Sequence, residues 1–390
     1  MDSLHENELP PVPPALYVHL PFCVVKCRYC DFFSVTESTE LETYLDALEI
    51  ELQQRSRGRR FRLIFVGGGT PSFLPPKSLR RFLSILGGYL DGRGIQEWSV
   101  EANPESLDSQ RLKMFVDAGI TRLSIGVQSF DNRALDFLGR PHRASDAIDC
   151  VRRARELGIE SINLDLIHSR PGQTVEGWIG ELREAIQLSP EHLSCYELTF
   201  EAGTALDHDR RQGRISPPDQ ELQLAFFSET IEQLLEAGYE SYEVSNFARP
   251  GHRCLHHLHT WRGGEYLGVG VSAVSYLEGV RIANPRNLRG YMDPLLAGKS
   301  VERTSERLTG VHRARELLWL GLRMRDGISI EHFQVRTGVE PTSLFGDSFE
   351  DLYEQGFLET TPGGRLRLTE RGWPVLDAVV LEAMGTDTAN

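Results

Sequence analysis

The chain of 390 residues has no long hydrophobic run, few cysteines and a shortage of positive charge. No apolar stretch approaches the roughly 20 residues that span a bilayer, so no integral membrane segment is predicted. The acidic N-terminus lacks the basic and apolar regions of a secretory signal peptide, which favours a cytoplasmic protein. The 42 Lys and Arg residues against 56 Asp and Glu give a net charge of −14. Since phosphate binding needs a basic surface, this balance argues against a nucleic-acid partner.

The 6 cysteines do not suggest a disulfide framework, because the cytoplasm keeps thiols reduced and a chain of this size does not need disulfides to fold. Half of them are isolated in the sequence, and buried free thiols are the expected state of these three. They are Cys150, Cys195 and Cys254.

The other three cysteines, Cys23, Cys27 and Cys30, form a C-x3-C-x2-C motif after a short apolar segment. A fully ligated cubane cluster takes four thiolates, so three thiolates can hold a [4Fe-4S] cluster with one iron left open. A zinc site completed by a nearby histidine is the alternative interpretation.

Short apolar runs alternate with helix-period segments along the first half of the chain, which predicts an α/β fold. Six such units favour an open, partial (β/α)6 barrel of the TIM type, with a doubly wound sheet as the alternative. The predicted strands are Leu16–Leu20, Leu63–Val66, Trp98–Glu101, Arg122–Val127, Ile162–Ile167 and His192–Leu198. The predicted helices lie near 40–55, 77–90, 107–118, 131–157 and 175–188.

Four segments are predicted along the chain. A Pro-rich leader covers 1–14 and the barrel covers 15–200. An irregular extension over 201–300 covers the barrel and carries a His-rich loop. Residues 301–390 form a small helical, winged-helix-like domain, with helices at 310–324, 329–337 and 342–354. A hairpin of Phe357–Thr361 and Arg365–Leu368 around a Pro-Gly-Gly turn completes it.

Chemically versatile residues follow the predicted strands at the edge where parallel α/β folds place ligands. The cysteine motif follows the first strand and Gly67–Pro71 follows the second. Glu101–Pro104 closes the third strand, Gln128–Phe130 the fourth, and Asp165 lies near the end of the fifth. This placement predicts one binding site at that edge.

The cysteine motif and the glycine-rich second strand end resemble the radical S-adenosylmethionine (SAM) superfamily. The resemblance implies that SAM chelates the open iron, and that an electron from the cluster cleaves SAM to methionine and a 5′-deoxyadenosyl radical. The electron would come from a flavodoxin or a ferredoxin-like donor. For each ligand-contacting residue taken alone, a structural ion pair or strand-end hydrogen bond is the alternative. The SAM-contacting positions implied are Tyr17, Gly68, Gly69 and Thr70, and Glu101 is a candidate acceptor for the ribose hydroxyls. Gln128, Arg140 and Asp165 match further ligand-contacting positions of the porphyrin-related branch of the superfamily.

Several runs within 15–300 resemble the oxygen-independent coproporphyrinogen III oxidases and their relatives. These runs are Tyr17–Cys23, Glu101–Pro104, Ser124–Phe130, Leu138–Arg140 and Asn163–Ile167. The oxidases carry a fourth cysteine two residues after the third, where this chain has Phe32. In this respect the chain is similar to the HemW heme chaperones.

That similarity implies a protein that binds heme and delivers it to an acceptor protein, rather than an enzyme. The sequence does not identify the acceptor. One alternative is an oxidase that decarboxylates a porphyrinogen with the 5′-deoxyadenosyl radical. A second is a non-catalytic iron–sulfur or zinc module.

The segment Gly251–Trp261 holds four histidines. The HemW family has a His-Asn-x-x-Tyr-Trp motif here, and this chain keeps its histidine and tryptophan as His256 and Trp261. The resemblance implies His256 as the first candidate heme ligand, with Cys254 and His259 behind it. A polar loop whose histidines only form hydrogen bonds is the alternative.

Overall fold

The computed structural model describes residues 15–92 and 94–384. The predicted leader, 1–14, lies outside the described residues. Six strands alternate with helices in the first half of the chain. The strands are β1 (Ala15–Leu20), β2 (Leu63–Gly68), β3 (Glu97–Ala102), β4 (Arg122–Gln128), β5 (Ser161–His168) and β6 (His192–Glu197). The helices are α1 (Leu41–Ser56), α2 (Pro76–Gly87), α3 (Ser109–Ala118), α4 (Asn132–Leu138), α5 (Ala144–Glu156) and α6 (Val175–Gln187).

The six strands lie side by side in chain order, and every neighbouring pair is parallel. A doubly wound sheet reverses its strand order at a switch point, so that alternative is excluded. Within the described ranges the complete sheet runs from one edge strand to the other without closing. The predicted open (β/α)6 barrel is therefore confirmed.

The extension adds strands to both edges of this sheet. One strand pairs in parallel with β1 and continues into an antiparallel meander, and a short antiparallel pair follows β6. The strands are β7 (Glu240–Ser241), β8 (Asn246–Ala248), β9 (Tyr266–Val269), β10 (Val274–Leu277), β11 (Val280–Ala283) and β12 (Thr304–Arg307). The helices are α7 (Ala205–Arg211), α8 (Gln220–Glu236), α9 (Leu255–Trp261) and α10 (Leu288–Leu296). No helix in the described part of the chain is long and apolar enough to cross a membrane.

The two faces of the parallel sheet differ in chemistry because side chains alternate along each strand. On β1, Leu16, Val18 and Leu20 are fully buried in the main apolar core. The alternate residues, Tyr17 and His19, point to the inner face of the barrel. On β2 the inner positions hold Leu63 and Phe65. On β3 to β6 most inner positions are polar, and this face can therefore bind a ligand. They include Glu101, Ser124, Asn163, Asp165 and Ser194.

The single helix predicted over 131–157 is wrong, because the chain forms α4 and α5 with a break between them. Gly139 ends α4 in the left-handed conformation, with φ of 73°. Its amide donates to the Asp136 carbonyl, and Pro141 follows two residues later. A left-handed glycine followed by proline is a common way to stop a helix. The break carries Arg140 to the edge of the barrel.

A buried carboxylate joins α1 to the extension. Glu51 is fully buried, and its oxygens accept hydrogen bonds from Tyr291 (2.9 Å), Asn284 (2.9 Å) and the Gly270 amide (2.8 Å). Arg303 forms an ion pair with it at 2.9 Å. The β9–β10 turn is thereby held against α1.

We expect Glu51→Gln to destabilise the protein by about 3–5 kcal/mol, because it leaves two largely buried arginines, Arg55 and Arg303, without their counter-charge. Glu49→Gln on the same helix is the matched control. Glu49 pairs with Arg81 at the surface, where an ion pair contributes at most about 1 kcal/mol. Urea unfolding of both variants measures the difference, and equal stabilities would contradict the assigned role of Glu51.

The tail forms its own apolar cluster, which includes Leu318, Phe333, Leu366 and Trp373. The predicted hairpin is confirmed, since its two strands, Leu358–Thr360 and Arg365–Leu368, pair antiparallel around the Pro-Gly-Gly turn. The helix predicted at 342–354 is instead a 3-10 turn followed by a shorter helix, separated at Gly346. The elements are α11 (Gly310–Leu322), β13 (Ile328–Ser329), α12 (Ile330–Thr337), α13 (Ser348–Glu354), β14 (Leu358–Thr360), β15 (Arg365–Leu368) and α14 (Leu376–Met384).

Candidate functional site

The three motif cysteines lie on the loop between β1 and α1, and each is partly exposed. Backbone hydrogen bonds close the base of the loop. The Cys23 amide donates to the Val35 carbonyl at 3.0 Å, and the Val35 amide donates to Pro21 at 2.7 Å. In the middle of the loop, the Arg28 amide donates to the Leu138 carbonyl at the end of α4, at 3.1 Å. The loop is thus anchored at both places.

Two of the thiols receive hydrogen bonds from polar side chains. Thr70 donates to the Cys23 sulfur at 3.6 Å, and Arg140 donates to the Cys27 sulfur at 3.3 Å. Burial raises the pKa of Cys23 and raises that of Cys30 to about 11. Ligation therefore requires these thiols to lose protons, and hydrogen-bond donors beside the sulfur atoms stabilise the resulting thiolates.

The donor set fits an iron–sulfur cluster. In the described residues no group of three or more His, Cys, Asp or Glu side chains is placed to hold a single metal ion. Since each cysteine of a cubane binds its own iron, the three thiols need not converge on one point. Cys27 is close enough to influence the pKa of both Cys23 and Cys30, as a shared cluster requires.

The glycines Gly67–Gly69 at the end of β2 allow three parts of the protein to meet. A Cβ atom on the first would lie 2.6 Å from the Glu101 carboxyl group. On the second it would lie 2.2 Å from the His19 ring, and on the third 2.4 Å from the Leu20 carbonyl oxygen. The missing side chains therefore bring the carboxylate, the imidazole and the cysteine loop into contact with this turn.

Two carboxylates occupy the inner face of the barrel. Glu101 accepts a hydrogen bond from the Gly68 amide at 3.1 Å. Burial, with a smaller contribution from Asp165, raises the pKa of Glu101 to about 8. Asp165 accepts hydrogen bonds from Ser124 (3.0 Å) and Asn163 (2.8 Å), and burial raises its pKa as well. Without a bound cation, this pair favours binding a proton near neutral pH.

Tyr17 is connected to the cysteine loop through a histidine. The His19 Nε2 atom lies 2.8 Å from the Phe33 carbonyl oxygen and must donate to it. Its Nδ1 atom therefore accepts from the Tyr17 hydroxyl, at 3.1 Å. Burial lowers the pKa of His19 to about 4, so the ring is neutral at pH 7. The tyrosine hydroxyl is fixed beside the loop as a result.

Arg140 and Gln128 meet over Gly126 at the end of β4. Arg140 donates to the Gly126 carbonyl at 3.0 Å and to Asn103 at 2.7 Å. Gln128 adopts the left-handed region with φ of 65°, which is strained for a non-glycine residue. The next two residues hold this turn, since the Ser129 hydroxyl and the Phe130 amide both donate to Glu181.

We expect SAM to bind this face more tightly as the pH rises through 8. A sulfonium cation and ribose hydroxyls favour the Glu101 carboxylate, and each pH unit below its pKa should weaken binding up to about tenfold. The raised pKa also means that the ligand-free protein loses stability as the pH rises from about 4.5 to 8. Calorimetric titration of wild-type protein and Glu101→Gln between pH 6 and 9 checks this. A pH dependence shared by both proteins would rule out Glu101 as its source.

The His-rich segment lies at the opposite end of the barrel. Glu97, the first residue of β3, accepts hydrogen bonds from the amides of Leu255 (2.8 Å) and His256 (3.1 Å), and from the Cys254 thiol (3.3 Å). The cysteine loop follows the last residue of β1. The start of α9 and the cysteines therefore lie toward opposite ends of the parallel strands.

His256 is only 6% exposed, and its ring packs on Phe65 with centroids 5.3 Å apart. Its Nε2 atom has no hydrogen-bond partner among the described residues. Burial lowers the pKa of His256 to about 3, so its ring is neutral. The other two candidate ligands are already bonded, Cys254 to Glu97 and His259 to the Glu265 carbonyl at 2.7 Å.

The structure thus brings the predicted residues of β1 to β5, Arg140 and the cysteines together, and places His256 elsewhere. Asn103 is a site residue that was not itself predicted as a contact, although it lies within the strand-end run Glu101–Pro104. An uncharged amide has no strong sequence signature. Its position two residues after Glu101, at a strand end, was the available indication.

The comparisons with known proteins agree with this arrangement. Residues 17–185 match the model of the radical SAM superfamily, and residues 308–375 match the HemN C-terminal domain. Heme chaperone HemW of Bacillus subtilis is 34% identical over 362 residues, covering 91% of this chain and 95% of that protein. Heme chaperone HemW of Escherichia coli is 38% identical over 297 residues, covering 73% and 76%. The chain belongs to the HemW family.

A solved structure shares the fold of this HemW family member. Coproporphyrinogen III oxidase (HemN) from Escherichia coli, a radical SAM enzyme, superposes with a TM-score of 0.79 at 24% identity, covering 95% of this chain and 90% of that one. Membership of the radical SAM superfamily implies a [4Fe-4S] cluster and SAM as cofactors.

Proposed function

We propose that the protein binds a [4Fe-4S] cluster through Cys23, Cys27 and Cys30, binds SAM beside it, and carries heme to an acceptor protein. The observation that carries the proposal is the likeness to proteins named heme chaperone HemW over nearly the whole chain. Phe32 supports it, since it stands where the resembling oxidases have a fourth cysteine and is 63% exposed.

The residues of the inner face have separate tasks in this proposal. Gly68, Gly69 and Thr70 form the rim at which the methionine part of SAM would bind. Glu101 and Asp165 supply negative charge for a cationic ligand, and the Tyr17 hydroxyl is held beside them. Gln128 and Arg140 supply hydrogen-bond donors above β4. When bound, the open iron and SAM together provide the means of forming an adenosyl radical.

His256 is the proposed heme ligand. A neutral imidazole with a free Nε2 atom is the form that binds heme iron. Because the ring is buried, heme reaches it only when α9 moves away from Glu97. The heme would then lie at the end of the barrel opposite the cluster.

Heme titration tests the carrier function. Wild-type protein is expected to shift the Soret band on addition of heme, and His256→Ala is expected to weaken that binding. His312→Ala is the control, since His312 is an exposed histidine of α11 that measures adventitious binding. Identical binding curves for wild type and His256→Ala would exclude His256 as the ligand.

A second assay separates the carrier from the oxidase. Reconstituted protein is incubated anaerobically with SAM, a reductant and coproporphyrinogen III. We expect no protoporphyrinogen IX, and its formation would overturn the carrier assignment.

The cytoplasmic location stays a prediction, as does the flavodoxin or ferredoxin-like electron donor. The exposed side chains Val24, Val25 and Phe32 offer that donor an apolar contact beside the cysteines.

A further inference from the structure

We infer that Asn103 is a positioning residue that sets the hydrogen bonds received by two of the three cluster cysteines. The Asn103 Nδ2 atom donates to the Thr70 hydroxyl at 2.8 Å, and Thr70 donates to the Cys23 sulfur at 3.6 Å. On its other side, Asn103 Oδ1 accepts from Arg140 at 2.7 Å, and Arg140 donates to the Cys27 sulfur at 3.3 Å. One amide therefore links both donors.

The backbone of Asn103 is itself held in place. Its amide donates to the Ser72 hydroxyl at 3.2 Å, and its carbonyl accepts from the Ser106 amide at 3.1 Å. The two serine hydroxyls lie 2.7 Å apart. Because Ser72 follows β2 and Ser106 follows β3, the backbone of Asn103 is fixed between two strand ends, and its side-chain amide is positioned with it.

The position requires an amide. Arg140 can only donate, so it needs the carbonyl oxygen of Asn103, and the NH2 group is left to face Thr70. Thr70 has a single hydroxyl proton. When Asn103 donates to its oxygen, that proton is free to point at Cys23. An aspartate would keep the acceptor and lose the donor, and a leucine would lose both.

The expected consequence is on the reduction potential of the cluster, and so this inference rests on the proposed cofactor. Hydrogen bonds to cluster sulfur atoms stabilise the more negative, reduced state and raise the potential. Without Asn103, the side chains of Thr70 and Arg140 lose their orientation toward Cys23 and Cys27. The cluster should then be harder to reduce.

The test is an EPR-monitored redox titration of reconstituted full-length protein. We expect Asn103→Leu and Asn103→Asp each to give a midpoint potential more negative than that of wild type, at similar iron content. Asp219→Ala is the structural control. Asp219 caps α8 through the Leu222 amide, so its loss weakens one helix end without reaching the cluster. Its midpoint potential should equal that of wild type.

The added charge of aspartate lowers the potential by itself, so the uncharged variant Asn103→Ala decides the matter if the leucine variant does not fold, and it should give the same negative shift. A folded Asn103 variant that takes up no cluster, while Asp219→Ala does, also supports the inference. Cluster-loaded variants with unchanged potentials would overturn it. A wild-type protein that takes up no cluster would overturn the proposed cofactor, and this inference together with it.

Discussion

Cys27→Ala protein is expected to remain colourless after anaerobic reconstitution with iron and sulfide, whereas Cys150→Ala protein is expected to turn brown. The proposed cluster has only three protein ligands, so the loss of one thiolate should remove most of the bound iron. Cys27 is also the thiol that faces Arg140, at 3.3 Å. Iron and sulfide analysis and the visible absorption of the two variants measure the difference.

Cys150 is the matched control because its thiol is buried away from the cysteine loop. It is fully buried on α5, and burial raises its pKa to about 12. A thiol that cannot reach the iron or lose its proton is not a ligand. Loss of the cluster in Cys150→Ala to the same extent as in Cys27→Ala would show that both variants act through misfolding. A zinc-loaded, colourless wild-type protein would contradict the iron–sulfur proposal directly.

Gly69→Ala is expected to displace the cysteine loop and weaken SAM binding. A Cβ atom there would lie 2.4 Å from the Leu20 carbonyl oxygen and 2.8 Å from the Phe22 amide nitrogen. Both atoms belong to the backbone that leads into Cys23, so they cannot rotate away as a flexible side chain would. We expect a loss of stability of about 1–3 kcal/mol, together with weaker cluster and SAM retention. Thermal unfolding and calorimetric SAM titration measure the two effects.

Gly180→Ala provides the control for the glycine substitution. Gly180 lies in α6, and nothing is within 4 Å of the position that its Cβ would occupy. Alanine is the better helix former by about 1 kcal/mol, so this variant should be unchanged or slightly more stable, with normal SAM binding. If Gly69→Ala behaved like Gly180→Ala, the close packing of the glycine turn against the cysteine loop would be refuted.

The sequence predicted the elements whose patterns are local. The apolar runs of β1 to β6 are short and bounded by polar or glycine-rich segments, and all six strands form. Their C-terminal residues, such as Glu101 and Asp165, meet at one edge because parallel strands require it. That argument alone brought residues far apart in the chain into a single candidate site.

Other features depend on contacts that a sequence does not display. The break between α4 and α5 follows from Gly139, whose left-handed conformation outweighs the helix pattern on either side. The burial of His256 depends on Glu97, a carboxylate distant in sequence that binds the start of α9. Asn103 escaped selection for the same reason, because its role comes from its neighbours rather than from its own chemistry.

The cysteine loop and α9 lie toward opposite ends of the barrel, and this determines which partner proteins can bind at the same time. Two proteins that approach opposite ends of a barrel do not compete for the same surface. In the proposed function, an electron donor at Val25 and Phe32 and a heme acceptor at α9 can occupy one molecule at once. Loading, reduction and hand-over of heme then need no fixed sequence of docking and release.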